Sequence, residues 1–217
     1  LEQFDDVEFR ASGIKLKSFY DAALNGERVV KLFDISDGLP EGDVLFFTKQ
    51  GMAKRSEWAE YGLLKAVYPA IKLKTGDEIV NVETVVGDEY TTMCLGTKGG
   101  ICLNAVTDGM PCQGRIATGV KGMLVDAQDS VIFATQINGE GEIIIVTDKG
   151  LFKRVISSLI DPLSRGRKGV MITDSKSNVL FADYVTVPYM LAVTSESGAV
   201  SELETEDISI ESRPSRG

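Results

Sequence analysis

Histidine is absent from the 217 residues of this sequence. Without an imidazole there is no Ser–His or Cys–His nucleophile pair and no histidine metal ligand, which excludes the commonest hydrolytic sites. Paired carboxylates occur at Asp77–Glu78 and Glu206–Asp207, but a turn and an acidic tail are where solvated surface charge is expected. We therefore predict that this chain is not itself an enzyme and has no catalytic residue, metal site or cofactor.

Cysteines and long apolar runs are also scarce. The three cysteines, Cys94, Cys102 and Cys112, have no CxxC spacing, so neither a disulfide framework nor a structural zinc site is indicated, and we expect reduced thiols in or near the core. No apolar run approaches the roughly 18 residues that span a bilayer. The N-terminal residues LEQFDDVEF are acidic where a secretion signal is basic. These features predict a cytoplasmic protein.

Four glycines recur at a nearly constant interval. Gly51, Gly100, Gly150 and Gly198 are 49, 50 and 48 residues apart, and each follows an apolar run, a Thr or Ser and further turn residues. An apolar run, a short polar turn closed by glycine and a second alternating run are typical of a β-hairpin. Such a period predicts repeated supersecondary units in an all-β fold.

Each unit also has a second half with strand character, and we predict a second hairpin there, which gives four strands in each unit. These second halves are residues 70–85, 122–137 and 169–185. The incomplete outer units suggest one domain of a longer protein. The predicted organisation is a single domain over 1–217, with a degenerate first repeat at 1–43, full repeats at 44–90, 91–142 and 143–190, and a partial last repeat at 191–217.

The net charge is −9, but it is unevenly distributed. Residues 1–43 carry 5 basic and 10 acidic groups and residues 191–217 carry 2 and 6, whereas residues 143–190 carry 7 basic and 4 acidic groups. The local field, rather than the total charge, decides whether a surface attracts an anion. The unit at 143–190 is therefore the part of the chain best suited to contact a phosphate backbone.

Basic residues cluster after the hairpin glycines and in glycine-containing loops. In a radial array of blades, equivalent positions lie on the same outer rim, so these residues would form a discontinuous basic track. Glycines beside Arg and Lys let the main chain approach a phosphate, and the cations displace condensed counterions. The loop SRGRKG at 164–169 is equally compatible with an ordinary basic surface turn. The candidate phosphate-binding residues are Lys54, Arg55, Arg115, Lys121, Lys153, Arg154, Arg165, Arg167 and Lys168.

The order of these motifs resembles the C-terminal domain of bacterial type IIA topoisomerase A subunits, the family found in DNA gyrase and topoisomerase IV. The resemblance covers residues 44–217. It implies an all-β β-pinwheel of about four to five four-stranded blades that exchange strands with their neighbours, and a basic perimeter around which duplex DNA bends. The matching segments are FFTKQGMAKRSEW at 46–58, GRIATGVKGM at 114–123, and IVTDKGLFKR followed by SRGRKGVMI at 164–172.

The order of the repeats favours a gyrase-like domain, which wraps DNA to direct strand passage and supercoiling, over a topoisomerase IV-like domain, which selects DNA geometry. The gyrase box QRRGGKG does not occur, and SRGRKG is its nearest approximation. Residues 63–73, LLKAVYPAIKL, stand where another glycine-basic loop is expected. The partners that the resemblance implies are double-stranded DNA, the ATPase B subunit, and the remainder of the A subunit. The catalytic tyrosine, magnesium and ATP would belong to the parent holoenzyme, outside this chain.

Two other classes of protein remain open from the residues alone. A propeller used as a protein-interaction platform would explain the acidic charge, but it predicts recurrent double glycines, and Gly99–Gly100 is the only one. An enzyme with a propeller active site would need convergent polar residues, and none can be identified.

Outside the basic motifs, Trp58 is predicted to be a rim or inter-blade packing residue rather than a base-stacking platform. Lys65, Lys72 and Lys74 are weaker candidates for DNA contact, because solvent-facing lysines also protect strand edges.

Overall fold

The computed structural model describes residues 28–65, 67–85, 87, 92–174 and 177–211. The predicted first repeat before residue 28 and the end of the last repeat lie outside these residues. Within them, regular structure is all strand apart from short 3-10 turns, and no helix is long and apolar enough to cross a membrane. The strands are β1 (Asp43–Thr48), β2 (Met52–Glu57), β3 (Ile79–Thr84), β4 (Thr92–Thr97), β5 (Ile101–Val106), β6 (Val120–Lys121), β7 (Val131–Ile137), β8 (Glu142–Thr147), β9 (Phe152–Ile156), β10 (Val170–Met171), β11 (Val179–Val185), β12 (Met190–Thr194) and β13 (Val200–Glu204).

The four predicted glycine hairpins all form, as the antiparallel pairs β1–β2, β4–β5, β8–β9 and β12–β13. In the first, the Gly51 amide donates to the Thr48 carbonyl at 3.0 Å and the Met52 amide donates to the Thr48 hydroxyl at 3.1 Å. Gly51 has a φ of 80°, which glycine adopts at little cost. The same two bonds form at the other three turns. This double use of one hydroxyl residue explains why a Thr or Ser precedes each repeat glycine.

The second halves of the units do not form hairpins, so that prediction is wrong. Instead β6 pairs with β2 and β10 pairs with β5, each in the preceding unit. β7 and β11 then return to pair with β4 and β8 of their own unit. The resulting sheets have the orders β3-β1-β2-β6, β7-β4-β5-β10, β11-β8-β9 and β12-β13. Exchange of strands between neighbours, which the resemblance implied, is confirmed and replaces the second hairpin.

The sheets have an inner and an outer edge. β3 contacts β7, and β7 contacts β11, so these three strands face one another on the inner side of the array. β6 and β10 lie at the opposite edges of their sheets. The exchanged strands therefore form the perimeter, and the segments that lead into them follow it.

Apolar side chains fill the spaces between successive sheets. Because side chains alternate between the two faces of a strand, and both faces of the middle strands are covered, runs such as IIIV at 143–146 are continuously apolar. The first space contains Leu45, Phe47, Met93, Leu95 and Leu103, the second contains Cys94, Cys102, Phe133, Ile143 and Ile145, and the third contains Ile144, Leu191 and Leu203.

The burial of Trp58 and of the three cysteines can be compared with the predictions made for them. Trp58 is buried, with its ring centre 4.9 Å from that of Phe33 in an edge-on arrangement, so its predicted packing role is confirmed. Cys94 and Cys102 are buried reduced thiols, as predicted. Cys112 is exposed, and the prediction of a core position is wrong for it, because it lies in a segment that follows the perimeter.

Candidate nucleic-acid interface

Two long segments run along the perimeter, residues 107–119 between β5 and β6 and residues 157–169 between β9 and β10. Each lies beside the second hairpin strand of the preceding sheet. Cys112 forms a parallel bridge with Arg55, and Leu163 forms one with Ala105. We call these segments the first and second perimeter loops. They contain the two glycine-basic motifs of the sequence.

Main-chain hydrogen bonds join the loops into one edge. The Gly166 amide donates to the Gly122 carbonyl at 2.7 Å, and the Leu124 amide donates to the Arg167 carbonyl at 2.9 Å. The second loop is thereby fixed against the residues that leave the first. One unit earlier, the Lys72 amide donates to the carbonyl of Ala117 in the first loop at 3.2 Å. Basic residues from three successive units are thus placed in series.

Glycine allows both loops to approach the neighbouring sheet. Gly119 has a φ of 91°, and a Cβ there would lie 2.5 Å from the Ala53 carbonyl oxygen. Gly169 has a φ of 92°, and its Cβ would lie 2.3 Å from the Cys102 carbonyl oxygen. We predicted that glycines bring the main chain close to a phosphate. At these two positions they bring it close to an adjacent strand, and any other residue would move the loop.

The second perimeter loop presents cations to solvent. Arg167 is exposed and its Nε donates to the Ser164 hydroxyl at 3.3 Å, while the half-buried Arg165 donates to the Gly109 carbonyl at 3.1 Å. Lys168 pairs with Asp126 at 2.6 Å, and both side chains are more than half exposed. An exposed pair of this kind contributes little stability. A guanidinium has five N–H donors, so both arginines keep donors for an anion.

Lys121 extends the same set of cations from the neighbouring unit. It is exposed on β6, and a Cβ built on Gly166 would lie 3.6 Å from its Cγ and Cδ atoms. Its ammonium makes no hydrogen bond or ion pair with the residues that the structure describes. The fold thus brings Lys121 beside the loop that carries Arg165 and Arg167.

Arg115 is a more constrained cation. It occupies the place in the first loop that Arg165 occupies in the second, four residues before the close-approach glycine. Its guanidinium donates to the Pro69 carbonyl and lies 5.5 Å from the centre of the Tyr68 ring. Its amide donates to the Glu60 carboxylate at 3.1 Å. Arg115 is therefore half-buried, with its position fixed at the main chain and at the side chain.

Lys54 does not lie on the rim, and the prediction of its position is wrong. Strand alternation sends Lys54 and Arg55 to opposite faces of β2, and Lys54 opposes Phe46 on the apolar face. Its side chain is 0% exposed, with Nζ 5.2 Å from the centre of the Phe46 ring. Burial, assisted by the nearby charge of Arg115, lowers the pKa of Lys54 to about 8. The repeated Lys-Arg dipeptide cannot present both cations to one partner.

The hairpin arginines are engaged within their own part of the fold. Arg154 pairs with Glu142 at 2.7 Å and donates to the Ile208 and Glu206 carbonyls at 2.6 and 2.8 Å. Arg55 pairs with Asp43 across the first hairpin, at the equivalent place. The predicted track of hairpin cations is therefore not formed, and we assign both arginines a structural role.

The remaining lysines divide between core and edge. Lys153 is half-buried opposite Ile145, and burial lowers its pKa, opposed by the charges of Glu211 and Asp174. Lys72, a weaker candidate from its sequence context, lies outside the strands, is exposed and is bonded through its amide to the first loop. Alignment of the second halves of the units could have found Lys72, because it places Lys72 at the position of Leu124, whose amide bonds to the second perimeter loop.

We call the exposed and half-buried cations of this edge the basic strip. It follows the perimeter through three units, and its guanidinium groups match the paired oxygens of a phosphate. A row of cations on a single edge suits a polymer of regularly spaced negative charges. The basic strip consists of Lys72, Arg115, Lys121, Arg165, Arg167 and Lys168.

Comparison with known families and proteins gives consistent results. The profile of the family described as DNA gyrase C-terminal domain, beta-propeller, matches residues 42–85, 94–138 and 141–177, more than half of the chain. The breaks between the matched segments fall close to the limits of the glycine-aligned units.

Among curated proteins, the A subunit of DNA gyrase from Staphylococcus epidermidis is 30% identical over 200 residues, which cover 89% of this chain and 22% of that protein. The A subunit of DNA topoisomerase 4 from Bacillus subtilis is 29% identical over 199 residues, covering 88% and 24%. The chain thus spans about a quarter of the length of these relatives.

Two solved structures share the fold at 22% identity. The C-terminal domain of DNA topoisomerase IV superposes with a TM-score of 0.82, covering 98% of this chain and 67% of that chain. The DNA gyrase A C-terminal domain superposes with a TM-score of 0.66, covering 83% and 61%. The β-pinwheel architecture predicted from the sequence is confirmed.

Proposed function

Because the chain belongs to the DNA gyrase C-terminal domain family, we propose that it is the DNA-binding domain of a type II topoisomerase A subunit, and that duplex DNA lies along the basic strip. The observation that carries this proposal is the joining of two glycine-basic loops into one perimeter edge through Gly166–Gly122 and Leu124–Arg167 hydrogen bonds. These hydrogen bonds bring cations that are distant in the sequence side by side, along the path that a bent duplex would follow.

The chemistry of the strip favours the DNA backbone over the bases. Its members are Lys and Arg on loops and on a two-residue strand, and such groups release counterions from phosphates without distinguishing sequences. A recognition helix that could enter the major groove is not found among the described residues. Sequence preference would then come from how easily the DNA bends.

Within this proposal we favour a gyrase-like role on the ground of the order of the repeats. In that role the duplex wraps around the perimeter and directs strand passage and supercoiling. The restricted extent of the strip favours a second candidate, the topoisomerase IV-like selection of DNA geometry. The hairpin cations Lys54, Arg55 and Arg154 face inward or are paired, which shortens the available track. A shorter track holds less DNA and bends it through a smaller angle.

The catalytic parts of the enzyme would lie elsewhere. We propose that the parent protein is an ATP-dependent type II topoisomerase acting on cytoplasmic DNA, in which this domain works with an ATPase B subunit, together with the rest of the A subunit. The cleaving tyrosine, magnesium and ATP would belong to those parts. This domain would position and orient the duplex, and the cutting and rejoining of DNA strands would take place elsewhere in the parent protein.

Duplex binding measured against salt tests the proposal. We expect log affinity to fall steeply with log salt, and the combined variant R165A/R167A/K168A to weaken binding at least tenfold and flatten the slope by about 2 to 3. The charge-matched control K49A/K98A/K149A removes three lysines from the hairpin turns and should have a smaller effect. Unchanged binding by the loop variant, or equal losses in both, would refute DNA contact at the strip.

A topology assay separates the two roles. Nicked circular DNA, which is relaxed, is sealed by a ligase in the presence of the domain, and the linking number is then compared with that of a protein-free control. Gyrase-like chiral wrapping shifts the linking number, whereas binding that only selects geometry leaves it unchanged.

A further inference from the structure

The buried ammonium of Lys54 connects three separate segments. It donates to the Tyr61 hydroxyl at 3.1 Å, to the Ala70 carbonyl at 2.9 Å and to the Arg115 carbonyl. An ammonium has three N–H donors and no acceptor, so all of its donors are used. The three partners belong to the turn after β2, the segment that leads to Lys72 and the first perimeter loop.

We propose that Lys54 is a positioning residue for the basic strip: its ammonium holds the first perimeter loop in the conformation that directs Arg115 toward the phosphate backbone of DNA. This inference rests on the proposed function. Lys54 acts through Arg115 and not by contact, because its own side chain is fully buried.

Packing alone does not account for a lysine at this position. In the second sheet the equivalent residue is Leu103, which opposes Leu95 as Lys54 opposes Phe46. Leu103 is also fully buried, so an apolar side chain fills this place in the repeat. Burying a charged amine costs free energy unless it is well hydrogen-bonded. The lysine therefore provides hydrogen bonds that the repeat does not need for its core.

The second perimeter loop provides an internal comparison. Gly119 and Gly169 bring the two loops equally close to their sheets, and Arg115 and Arg165 occupy equivalent places. Leu103 cannot donate to the carbonyl of Arg165, whose guanidinium is instead oriented by the Gly109 carbonyl. The buried ammonium is thus a support that the first loop has and the second lacks.

The surroundings of Arg115 make its orientation depend on Lys54. The guanidinium lies over Tyr68, whose hydroxyl donates to the Tyr61 carbonyl at 2.5 Å. Lys54 bonds to the side chain of Tyr61 and to the Arg115 carbonyl, so it joins the loop to the same support that carries the guanidinium. Without the ammonium, the Arg115 carbonyl loses its buried partner, and only the contacts of the loop with Glu60, Pro69 and the Lys72 amide still hold it against Tyr68.

A double-mutant cycle on the intact chain tests this inference, with affinity for a mixed-sequence duplex measured by fluorescence anisotropy. We expect Lys54→Met to weaken binding about three- to tenfold, but less than twofold when Arg115→Ala is already present, because residues that act through one another are not additive. Lys153→Met is the matched control, since it removes the same charge from the equivalent repeat position. It should lower affinity less than twofold in either background.

Each outcome decides the question. Equal losses from Lys54→Met with and without Arg115, or no loss at all, overturn the positioning role. Circular dichroism checks the fold of each variant; if Lys54→Met does not fold, Lys54→Gln, which keeps a donor in the core, replaces it in the cycle. Hydrogen exchange at residues 114–119 should rise in the Lys54 variant and not in the Lys153 variant. Intact binding by R165A/R167A/K168A would refute the proposed function instead, which keeps the two failures distinguishable.

Discussion

The Arg154 guanidinium and the Glu142 carboxylate are joined at 2.7 Å across the third hairpin, and the same guanidinium holds the final 3-10 turn by the Ile208 carbonyl at 2.6 Å. The Arg154 guanidinium therefore links its hairpin to the segment at 205–210, which lies beside β9. Asp43 and Arg55 repeat the pair two units earlier. The arginine of each Lys-Arg dipeptide is part of the framework of its sheet.

This arrangement predicts that Arg154→Ala affects stability more than DNA affinity. The Arg154 side chain is 16% exposed, and its loss leaves a carboxylate and two carbonyls without their partner, at a cost of about 2 to 4 kcal/mol. Arg55→Ala, at 39% exposure, should cost about 1 kcal/mol or less. Urea unfolding measures both values. A loss of DNA affinity without loss of stability would contradict the structural role.

Within the basic strip, the exposed Arg167 should behave as a single phosphate contact. Arg167→Ala is expected to weaken binding to all duplex sequences alike and to reduce the slope of log affinity against log salt by about 1. Titrations at several salt concentrations on two unrelated sequences measure this. A change in sequence preference, with the slope unaltered, would point to base contact instead.

The pH dependence of stability should report the buried Lys54. Its folded pKa is about 8 and its ordinary value is 10.5, so between these values the unfolded chain binds more protons than the folded one. Stability from this group is therefore present above about pH 10.5, and it is lost as pH falls through about 8. Relative to Lys54→Met, the unfolding free energy should rise by up to about 1.4 kcal/mol per pH unit across this window.

Denaturant unfolding of both proteins from pH 7.5 to 10, roughly the window set by one displaced lysine, measures the difference. Within the described part of the chain, Glu60, Tyr61, Cys112 and Arg115 are the other charged or titratable groups that act on Lys54. They occur in both proteins, so their titration largely cancels in the comparison. A difference that stays constant with pH would show that Lys54 retains its ordinary pKa.

The close-approach glycines of the perimeter loops should be far less replaceable than a positive-φ glycine that faces open space. Gly119→Ala places a Cβ 2.5 Å from the Ala53 carbonyl oxygen and should destabilise by more than about 2 kcal/mol. Gly109→Ala, in the same loop with a φ of 65° and no atom within 4 Å, should cost only about 1 kcal/mol. Thermal unfolding compares the two. Similar costs would mean that the loop can move away from the sheet.

The thiols should differ in reactivity. Cys112 is exposed, whereas Cys94 and Cys102 are buried with their sulfurs 3.1 Å apart. A disulfide reagent should therefore modify one thiol in the folded protein and all three after unfolding. Partial burial, with the charge of Asp43, raises the pKa of Cys112, so it should react more slowly than a free cysteine. The Cys112→Ser variant should therefore have no thiol that the reagent modifies in the folded protein.

The hairpins could be predicted from sequence because their determinants are local. Thr48 and Gly51 lie within one turn, and the two bonds that Thr48 accepts come from residues no more than four positions away. The partner of β6 could not be predicted in this way. Val120 and Lys121 carry too little pattern to specify pairing with Met52 and Ala53, which precede them by nearly seventy residues.

The positions of the candidate cations were predicted correctly in the loops and incorrectly for Lys54 in the first hairpin, while contact with DNA stays a prediction. Glycine-basic composition places Arg165 and Arg167 at the edge because no apolar partner draws them inward. The position of Lys54 follows from the two-residue alternation of side chains along a strand. Its register opposite Phe46 places it on the same face of the sheet as Val44 and Phe46. Aligning repeats by charge alone treats Lys54 and Arg55 as equivalent, whereas strand geometry directs them to opposite sides.

The exchange of β6 and β10 also constrains how such a domain can change in length. The units at 91–142 and 143–190 each supply the outermost strand of the sheet before them, so deletion of either unit removes that strand from its neighbour and exposes unpaired backbone groups. Loss or duplication of a unit succeeds only if the new neighbour accepts the incoming strand in register. Among the described residues, the first three sheets are thus linked in series by exchanged strands.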